Sequence, residues 1–381
     1  MHLARIVHTV KPGDVGFLVT AVGGYSMELS LKPDLSSALE RIEAYWHHED
    51  MGRPCIAVRA PQPNARPVPA PASLEQKWLD VDYRVRSALV STANTYWGGE
   101  AIPMVMPNLG PDVFTGFLGA ELEFHETTSW AVPFVHDWRD APDLAFDPSN
   151  KWYGKMLELT RALAEAGEGK FLVGITDIHS GGDALAAMSG QETLALGLID
   201  APQNVRRAMD QVLAAWYPIY DGLFEACRGP ELGSTSWLVA HSKGKFSALQ
   251  CDFSCLISEP MFQEFLLPEI AAEAAHLDNS LYHLDGPLAI RHVEALCSIP
   301  QLDGIQWTPG AGQKPMREWA PLLRRIQELG KCVYVGAPYE EVIPLVERLD
   351  PSMLFIVTHA RTPEDADALL RAAEDRAAVA L

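Results

Sequence analysis

The chain has 381 residues, of which 48% are hydrophobic and 21% charged, so it can bury a large core and is not a disordered chain. Its 30 basic and 50 acidic residues give a net charge of −20, which argues against nucleic acid and anionic membranes as partners. The sequence has no apolar run of about 18 residues and no signal-peptide pattern at its start. Six scattered cysteines without a CxxC pair are typical of reduced thiols, so we expect a cytoplasmic protein.

The N-terminal third contains few regular elements. The pattern predicts a helix over 35–47, a first strand over 54–59 and another strand over 103–106. Five prolines between Pro61 and Pro71 predict an extended surface loop, or alternatively an interdomain linker, because proline does not join a sheet or helix interior. We expect residues 1–100 to form an N-terminal elaboration and residues 101–381 to form the main domain.

From residue 170 onward, short apolar runs alternate with helical segments. The predicted strands are 171–175, 236–239, 248–251, 281–284, 304–307, 332–335 and 353–357. The predicted helices are 202–227, 260–276, 287–296, 316–329, 339–349 and 363–373, with Asp200 and Thr362 as N-caps. Such alternation favours parallel pairing, and about eight strands favour an α/β fold of the (β/α)8 TIM barrel type. A doubly wound open sheet is the alternative, although no GxGxxG follows a predicted strand.

Polar side chains that follow the strands of a barrel surround its active mouth. Asp177 and His179 follow the strand at 171–175 and, being two residues apart, can point the same way. Gly181 and Gly182 would let a ligand approach the backbone, and the next helix would offer N–H groups to an anion. The alternative is a capped turn with Asp183 as the N-cap.

Two further strand ends carry groups suited to chemistry. Asp252 follows the strand at 248–251, where an unpaired carboxylate is costly. His283 and Asp285 share one face of the next strand, and such a pair can act as acid and base or bind a metal. Alternatively, Asp285 is only a local hydrogen-bond partner of His283 and has no role in catalysis. We predict that Asp177, Asp252, His283 and Asp285 are catalytic, and that His283, Asp285 and His359 are candidate ligands of a divalent metal such as zinc.

The remaining candidates would contact a small-molecule substrate. Trp307 precedes a glycine-rich loop and could form a flat wall for a ring or sugar face, or could cap the barrel. Trp97 is expected on a loop over the pocket. The predicted substrate-binding residues are Trp97, Asn108, His179, His241, Gln306, Trp307 and His359.

Three stretches occur in an order and spacing that resemble a known family. They are 171–183 with 187–192 and 200–202; Ile257-Ser258-Glu259-Pro260 with Phe265 and Pro268; and His283-Leu284-Asp285-Gly286 ahead of Gly304-Ile305-Gln306-Trp307. From about residue 102 to 370, the chain resembles the uroporphyrinogen decarboxylase superfamily, which also contains corrinoid-dependent methyltransferases. The resemblance implies a TIM barrel that is often a homodimer, and a corrinoid protein as a candidate partner.

The chain departs from that family in two places. The arginine-rich motif with which the decarboxylase binds substrate carboxylates has no match in the first hundred residues, which argues against porphyrinogen decarboxylation. Methyltransferases of the family that activate a thiol carry His-x-Cys at the position of His283, and a later Cys, which together bind zinc. Here Asp285 and His359 stand instead, so a bound cation would have harder ligands than thiolates.

Three functions follow from these residues. The first is C1 (methyl) transfer, or a decarboxylase-like lyase step, on a small molecule. The second is a hydrolase or lyase that uses paired carboxylates on a neutral sugar- or polyol-like substrate. The third is a barrel that binds a ligand or partner chain without catalysis, and it predicts that the strand-end residues do not converge.

Overall fold

The computed structural model describes residues 27–380, with side chains described as far as residue 376, and expectations for residues 1–26 lie outside this range. The strands are β1 (Cys55–Pro61), β2 (Thr95–Gly99), β3 (Met104–Val105), β4 (Leu122–Phe124), β5 (Ser129–Ala131), β6 (Leu172–Val173), β7 (Ser234–Thr235), β8 (His241–Ser242), β9 (Phe246–Gln250), β10 (Asn279–Asp285), β11 (Gly304–Thr308), β12 (Cys332–Gly336) and β13 (Leu354–His359).

Helices occupy most of the segments between the strands. They are α1 (Leu35–Trp46), α2 (Leu74–Leu79), α3 (Val81–Ala93), α4 (Val113–Phe117), α5 (Lys151–Gly167), α6 (Gly181–Ser189), α7 (Gln191–Asp200), α8 (Pro202–Ala226), α9 (Gly229–Leu232), α10 (Glu259–Met261), α11 (Leu267–His276), α12 (Val293–Cys297), α13 (Ala320–Glu328), α14 (Val342–Val346) and α15 (Pro363–Ala380). A π-helical turn at Phe262–Leu266 joins α10 to α11, and short 3-10 turns follow β9 and β10. Within residues 27–380, no helix is both long enough and apolar enough to cross a membrane.

The central sheet has seven strands in the order β2-β1-β13-β12-β11-β10-β9. Every pairing in it is parallel except that of β2 with β1, which is antiparallel. A separate parallel pair, β3 and β6, continues beside β7, where the Ile175 amide donates to the Thr235 carbonyl over 2.8 Å. The prediction of an α/β fold with mainly parallel strands is confirmed, whereas the ladders of the described residues do not show the closure of a barrel.

Alternate side chains of the strands enter two separate cores. On β10, Tyr282 and Leu284 pack outward against helices, whereas Leu281 packs inward. The inner core also contains Trp97 of β2 and Phe246 of β9, which belong to the two edge strands of the seven-stranded sheet. The sheet therefore curves around the inner core. Burial of each such large side chain contributes roughly 1.5–3 kcal/mol to folding.

A buried ion cluster ties β1 to the end of β2. The carboxylate of Glu100 accepts hydrogen bonds from the Arg53 guanidinium at 2.6 and 2.9 Å and from the Ile56 amide at 2.7 Å. Arg41 of α1 adds an ion pair to the same carboxylate at 3.1 Å. These contacts pack part of residues 1–100 directly against the sheet, and the proposed division near residue 100 stays a prediction.

Most predicted elements are confirmed, with two informative differences. Residues 236–239 form the turn between β7 and β8, in which the Ala240 amide bonds the Leu238 carbonyl at 2.6 Å, so they are not a strand. Asp200 ends α7 and does not cap α8, whose N-cap position is Ala201. Thr362 does cap the last helix, because its Oγ1 accepts from the Asp365 amide at 3.1 Å.

Candidate active site

Three predicted residues meet where β9 and β10 end. Asp252 begins the 3-10 turn after β9, and His283 and Asp285 lie on the inner face of β10. The Asp252 carboxylate oxygen Oδ1 lies 4.0 Å from Nε2 of His283. Each of the three residues offers one ligand atom, and these atoms all lie within 4.8 Å of one another. The structure therefore brings together three of the four residues predicted to be catalytic.

The turn that carries Asp252 is held in place by Asp183 of α6. The Asp183 carboxylate accepts hydrogen bonds from the amides of Asp252 and Phe253, each at 2.9 Å. The capped-turn alternative predicted that Asp183 is the N-cap of its helix, and this is wrong. The N-cap position is Ser180, whose side chain makes no capping hydrogen bond. Asp183 instead bonds across the chain to orient Asp252.

The imidazole of His283 is oriented by its neighbours on β11. Gln306 Nε2 donates to Thr308 Oγ1 at 2.7 Å, which leaves Gln306 Oε1 to accept a short hydrogen bond from Nδ1 of His283. With its proton on Nδ1, the ring presents the lone pair of Nε2 to the site. The ring also packs edge-to-face on the indole of Trp237, with 5.1 Å between the ring centroids.

This arrangement calls for positive charge between His283 and Asp252. A lone pair on Nε2 that faces an ionised carboxylate 4.0 Å away is repulsive unless a proton or a cation lies between them. Burial, with the nearby charges of Asp183 and Asp285, raises the pKa of Asp252 to about 6, although His283 partly opposes the shift. The site can therefore hold a proton near neutral pH, or bind a cation in its place.

Asp177 and His179 form a second, adjoining pair. His179 Nδ1 lies 3.4 Å from Asp177 Oδ1 as an ion pair, and neither atom has an aligned hydrogen-bond partner among the described residues. Burial alone would lower the pKa of His179, but the charges of Asp177, Asp183 and Asp252 raise it to about 10. His179 is therefore a cation at neutral pH, and its charge links Asp177 to the cluster around Asp252.

Arg59 on β1 is a residue that the sequence analysis missed. The inner face of β1 carries Cys55 and Ala57, so the same alternation places Arg59 on that face at the end of the strand. Its guanidinium has no ion pair among the described residues, and its buried Nε has no hydrogen-bond partner there. Burial, together with the charge of Arg59, lowers the pKa of the adjacent His359.

On the segments after β6 and β7, three further buried polar atoms have no hydrogen-bond partner among the described residues, and one of them belongs to Trp237, which contacts His283. They are Oγ1 of Thr176, Oγ of Ser236 and Nε1 of Trp237. Pairing of Ile175 with Thr235 brings the segments that carry them side by side. Since buried polar groups are nearly always hydrogen-bonded, these atoms are candidates for substrate contacts. The sequence offered no direct signal for Trp237, because its segment was predicted to be a strand.

Two predicted substrate contacts lie away from this site. His241 belongs to β8, near where the strands begin, and its ring bonds the Leu232 carbonyl at 2.8 Å. Burial lowers the pKa of His241 to about 4. Trp307 is fully buried in the outer core against Trp319, because the strand register turns its neighbour Gln306 inward. Trp307 therefore does not form a wall of the site.

His179 and Gln306 lie at the site, whereas the remaining three predicted contacts lie in other settings than those expected. Trp97 lies in strand β2 and not on a loop, and its Nε1 donates to the Thr92 carbonyl at 3.1 Å. Asn108 shapes a turn, because its Oδ1 accepts from the Gly110 amide at 2.7 Å. His359 is exposed at the end of β13, three strands from β10 in the sheet, and is not part of the cluster around Asp252. Among the described residues, the group that could hold a cation contains Asp252 in the place where the sequence predicted His359.

Comparison with known proteins bears on the fold. No protein-family model matches the chain, and no curated protein matches its sequence. In fold, the chain is similar to a methyltransferase. A solved methyltransferase from Methanosarcina mazei superposes with a TM-score of 0.58 over 89% of this chain and 98% of that chain, at 12% sequence identity. At this identity the similarity shows the fold alone.

Proposed function

We propose that the chain is a methyl-transfer enzyme that acts on a small molecule at the mouth of a (β/α)8 barrel, as a divergent relative of the uroporphyrinogen decarboxylase superfamily. The observation that carries the proposal is the convergence of Asp252, His283 and Asp285 at one end of the sheet. Their convergence argues against a barrel that binds without catalysis. The similarity in fold to a methyltransferase favours methyl transfer over the lyase alternative.

The residues suit the proton balance of methyl transfer. When a bond between a methyl group and a heteroatom breaks, the methyl group moves to an acceptor with a free electron pair, and the bonding electrons stay on the heteroatom. That heteroatom must then take up a proton or be held by a cation. Asp252, with its pKa of about 6, can supply the proton, and Nε2 of His283 can accept one in the reverse direction.

The same residues fit a divalent cation by the chemistry of their donors. Asp252 and Asp285 would supply carboxylate oxygens and His283 would supply Nε2, a set that suits zinc, manganese, iron or cobalt. A bound cation would stabilise the negative charge left on the heteroatom. The cysteines nearest in sequence, Cys251 and Cys255, are poor candidates for thiolate ligands because burial raises the pKa of both.

Two features guide the choice of substrate and partner. Arg59 lies on the inner face of β1 and has no ion-pair partner among the described residues, although the chain has a net charge of −20. We therefore propose that the substrate carries an acidic group that Arg59 binds. We propose a corrinoid protein as the methyl carrier on the family resemblance alone. A homodimer is proposed on the same ground, and a cytoplasmic location is proposed because the six cysteines are scattered and form no CxxC pair.

Methyl transfer can be tested with cobalamin, whose visible spectrum distinguishes the methylated from the reduced form. The purified protein is mixed with reduced cobalamin and methylated thiols, amines or phenol ethers that carry an acidic group. We expect His283→Ala to lose at least about 100-fold in rate, as for removal of a general acid–base group. The matched control is His47→Ala at the C-cap of α1, since His47 is 62% exposed and lies outside the site. A fully active His283→Ala enzyme would refute the proposal.

The hydrolase alternative keeps one supporting observation. Carboxylate oxygens of Asp252 and Asp285 lie within 4.8 Å, well inside the separation of about 10 Å that paired-carboxylate hydrolysis allows. The unpaired Arg59 argues against a neutral substrate. Release of the phenol from aryl glycosides by the wild-type protein, abolished in Asp285→Asn, would favour this alternative over methyl transfer.

A further inference from the structure

A pair of buried glutamates lies beneath the loop that carries His179. Glu269 and Glu273 are one turn apart on α11, and both side chains are almost fully buried. The hydroxyl oxygen of Ser180 lies 2.6 Å from Oε1 of Glu269 and in a shorter contact with Oε1 of Glu273. Ser180 is therefore placed between two carboxyl groups that no part of the proposed reaction uses.

The hydrogen count of these contacts requires a proton on one glutamate. A serine hydroxyl has one hydrogen, so it can donate to only one of the two carboxyl groups. The other carboxyl group must itself donate to Ser180 Oγ, or two oxygen lone pairs would face each other in a buried contact. At least one of Glu269 and Glu273 must therefore be protonated.

The surroundings of the pair determine which glutamate is ionised. Glu269 also accepts a hydrogen bond from the amide of Gly181, at the N-terminus of the nine-residue helix α6, where a negative charge is favoured. Glu273 has only Ser180 as a hydrogen-bond partner among the described residues. The proton therefore belongs on Glu273, and the charge on Glu269.

We infer that Glu273, Ser180 and Glu269 form a positioning unit that keeps a proton on Glu273 and holds the loop of His179 against α11. In this unit Glu273 donates to Ser180, and Ser180 donates to the Glu269 carboxylate. The unit acts on the site only through the position of His179. The inference goes beyond the proposed methyl transfer and does not depend on it.

The glycine at the junction supports this assignment. Gly181 has a φ of +54°, and a Cβ atom there would lie 2.3 Å from Oε2 of Glu269. The glycine therefore brings the backbone to the Glu269 carboxylate, in place of the ligand that the sequence analysis expected. Gly182 likewise packs against protein atoms, because its Cβ would meet Sγ of Cys251 at 2.7 Å.

The charges around the pair agree with one shared proton. Burial raises the pKa of Glu269 to about 7, and burial and the charge of Glu269 raise the pKa of Glu273 well above the ordinary value. The titratable groups that act on the pair from the neighbouring elements are His179, Asp183, Asp210, Tyr217 and Cys251. Among them only His179 favours ionisation of Glu273, and burial outweighs its effect.

Infrared difference spectroscopy tests the location of the proton. We expect a buried protonated-carboxyl band at neutral pH that Glu273→Gln removes and that the exposed control Glu328→Gln leaves unchanged. The amide introduced by Glu273→Gln can still donate to Ser180, so the NMR titration of His179 should stay as in the wild type. Ser180→Ala should lower the titration point of His179, because the loop loses its anchor. If the band is missing from the difference spectrum between the wild type and Glu273→Gln, the inference is overturned.

The pH dependence of folding provides a second test that does not require Ser180→Ala to fold. A carboxyl group whose pKa is raised in the folded state stabilises that state. This contribution is fully present below the pKa of the unfolded chain and is lost as the pH rises toward the pKa of the folded protein. The melting temperature of Glu273→Gln relative to that of the wild type should therefore increase as the pH rises from about 5 to about 8. A constant difference over this range would mean that Glu273 is ionised and the inference is wrong. Neither test uses a substrate, so both are independent of methyl transfer.

Discussion

Gln306 decides which nitrogen of His283 faces the candidate site. Replacement by leucine removes the acceptor that keeps the proton on Nδ1, so the Nε2 lone pair is no longer held toward Asp252. We expect Gln306→Leu to weaken binding of Zn²⁺ or Mn²⁺ by about 10–100-fold, the usual effect of losing such an outer contact. Titration calorimetry measures this. The control is Gln263→Ala on the exposed side of the π-helical turn, and equal affinities in both variants would contradict the role of Gln306.

The ionised carboxylate of Asp252 should destabilise the folded protein at neutral pH. Its folded-state pKa of about 6 lies above the unfolded value of about 4. The stabilisation that protonated Asp252 contributes is therefore fully present below pH 4 and is lost as the pH rises through 6. Because the side chain is half exposed, we expect Asp252→Asn to gain only about 1 kcal/mol at pH 7. Urea unfolding at pH 7 and near pH 4 measures this gain, which should vanish at the lower pH. An equal gain at both values would contradict the raised pKa.

Short-range spacing predicted part of the site and could not predict the rest. His283 and Asp285 were found because a strand repeats its faces every two residues. The same rule on β1 places Arg59 on the inner face with Cys55 and Ala57. The bond from Asp183 to the amide of Asp252 joins positions 69 residues apart, and no local pattern carries such information.

The parallel strands were easier to predict than the antiparallel ones. Strands such as β11, β12 and β13 are buried on both faces and appear as short apolar runs between helices. β2 contains Gly98 and Gly99, which predict a loop, and its strand conformation depends on pairing with β1. Residues 236–239 are equally apolar but fill the inner core as a turn, because burial and strand structure are separate properties.

Substitutions in the ion cluster between β1 and β2 should lower the free energy of unfolding more than most others in the fold. Glu100→Gln would remove the buried carboxylate partner of Arg53 and leave only the exposed Glu374, and the loss of such a buried partner costs about 3–5 kcal/mol. The matched control is Glu374→Gln, since Glu374 is a 56% exposed partner of the same arginine and should cost less than about 1 kcal/mol. Urea denaturation measures both free energies of unfolding. Equal effects would mean that Arg53 does not depend on Glu100.

The net charge of −20 shapes how the whole molecule responds to ions. Mutual repulsion of acidic groups destabilises a compact chain, so added sodium chloride should stabilise it by screening. Specific binding at Asp252, His283 and Asp285 adds to this general effect and saturates. A divalent cation must therefore be compared with sodium chloride at constant ionic strength.

Under that condition we expect Zn²⁺ or Mn²⁺ to raise the melting temperature of the wild type by a few degrees. A ligand at a hundred times its dissociation constant stabilises the folded state by about 2.7 kcal/mol, provided that it does not bind the unfolded chain. The gain should disappear in His283→Ala and persist in His47→Ala, which differ in the site but not in overall charge. Calorimetric melting of the three proteins measures it. An equal gain in all three would assign the effect to the acidic surface and leave the site to act by proton transfer alone.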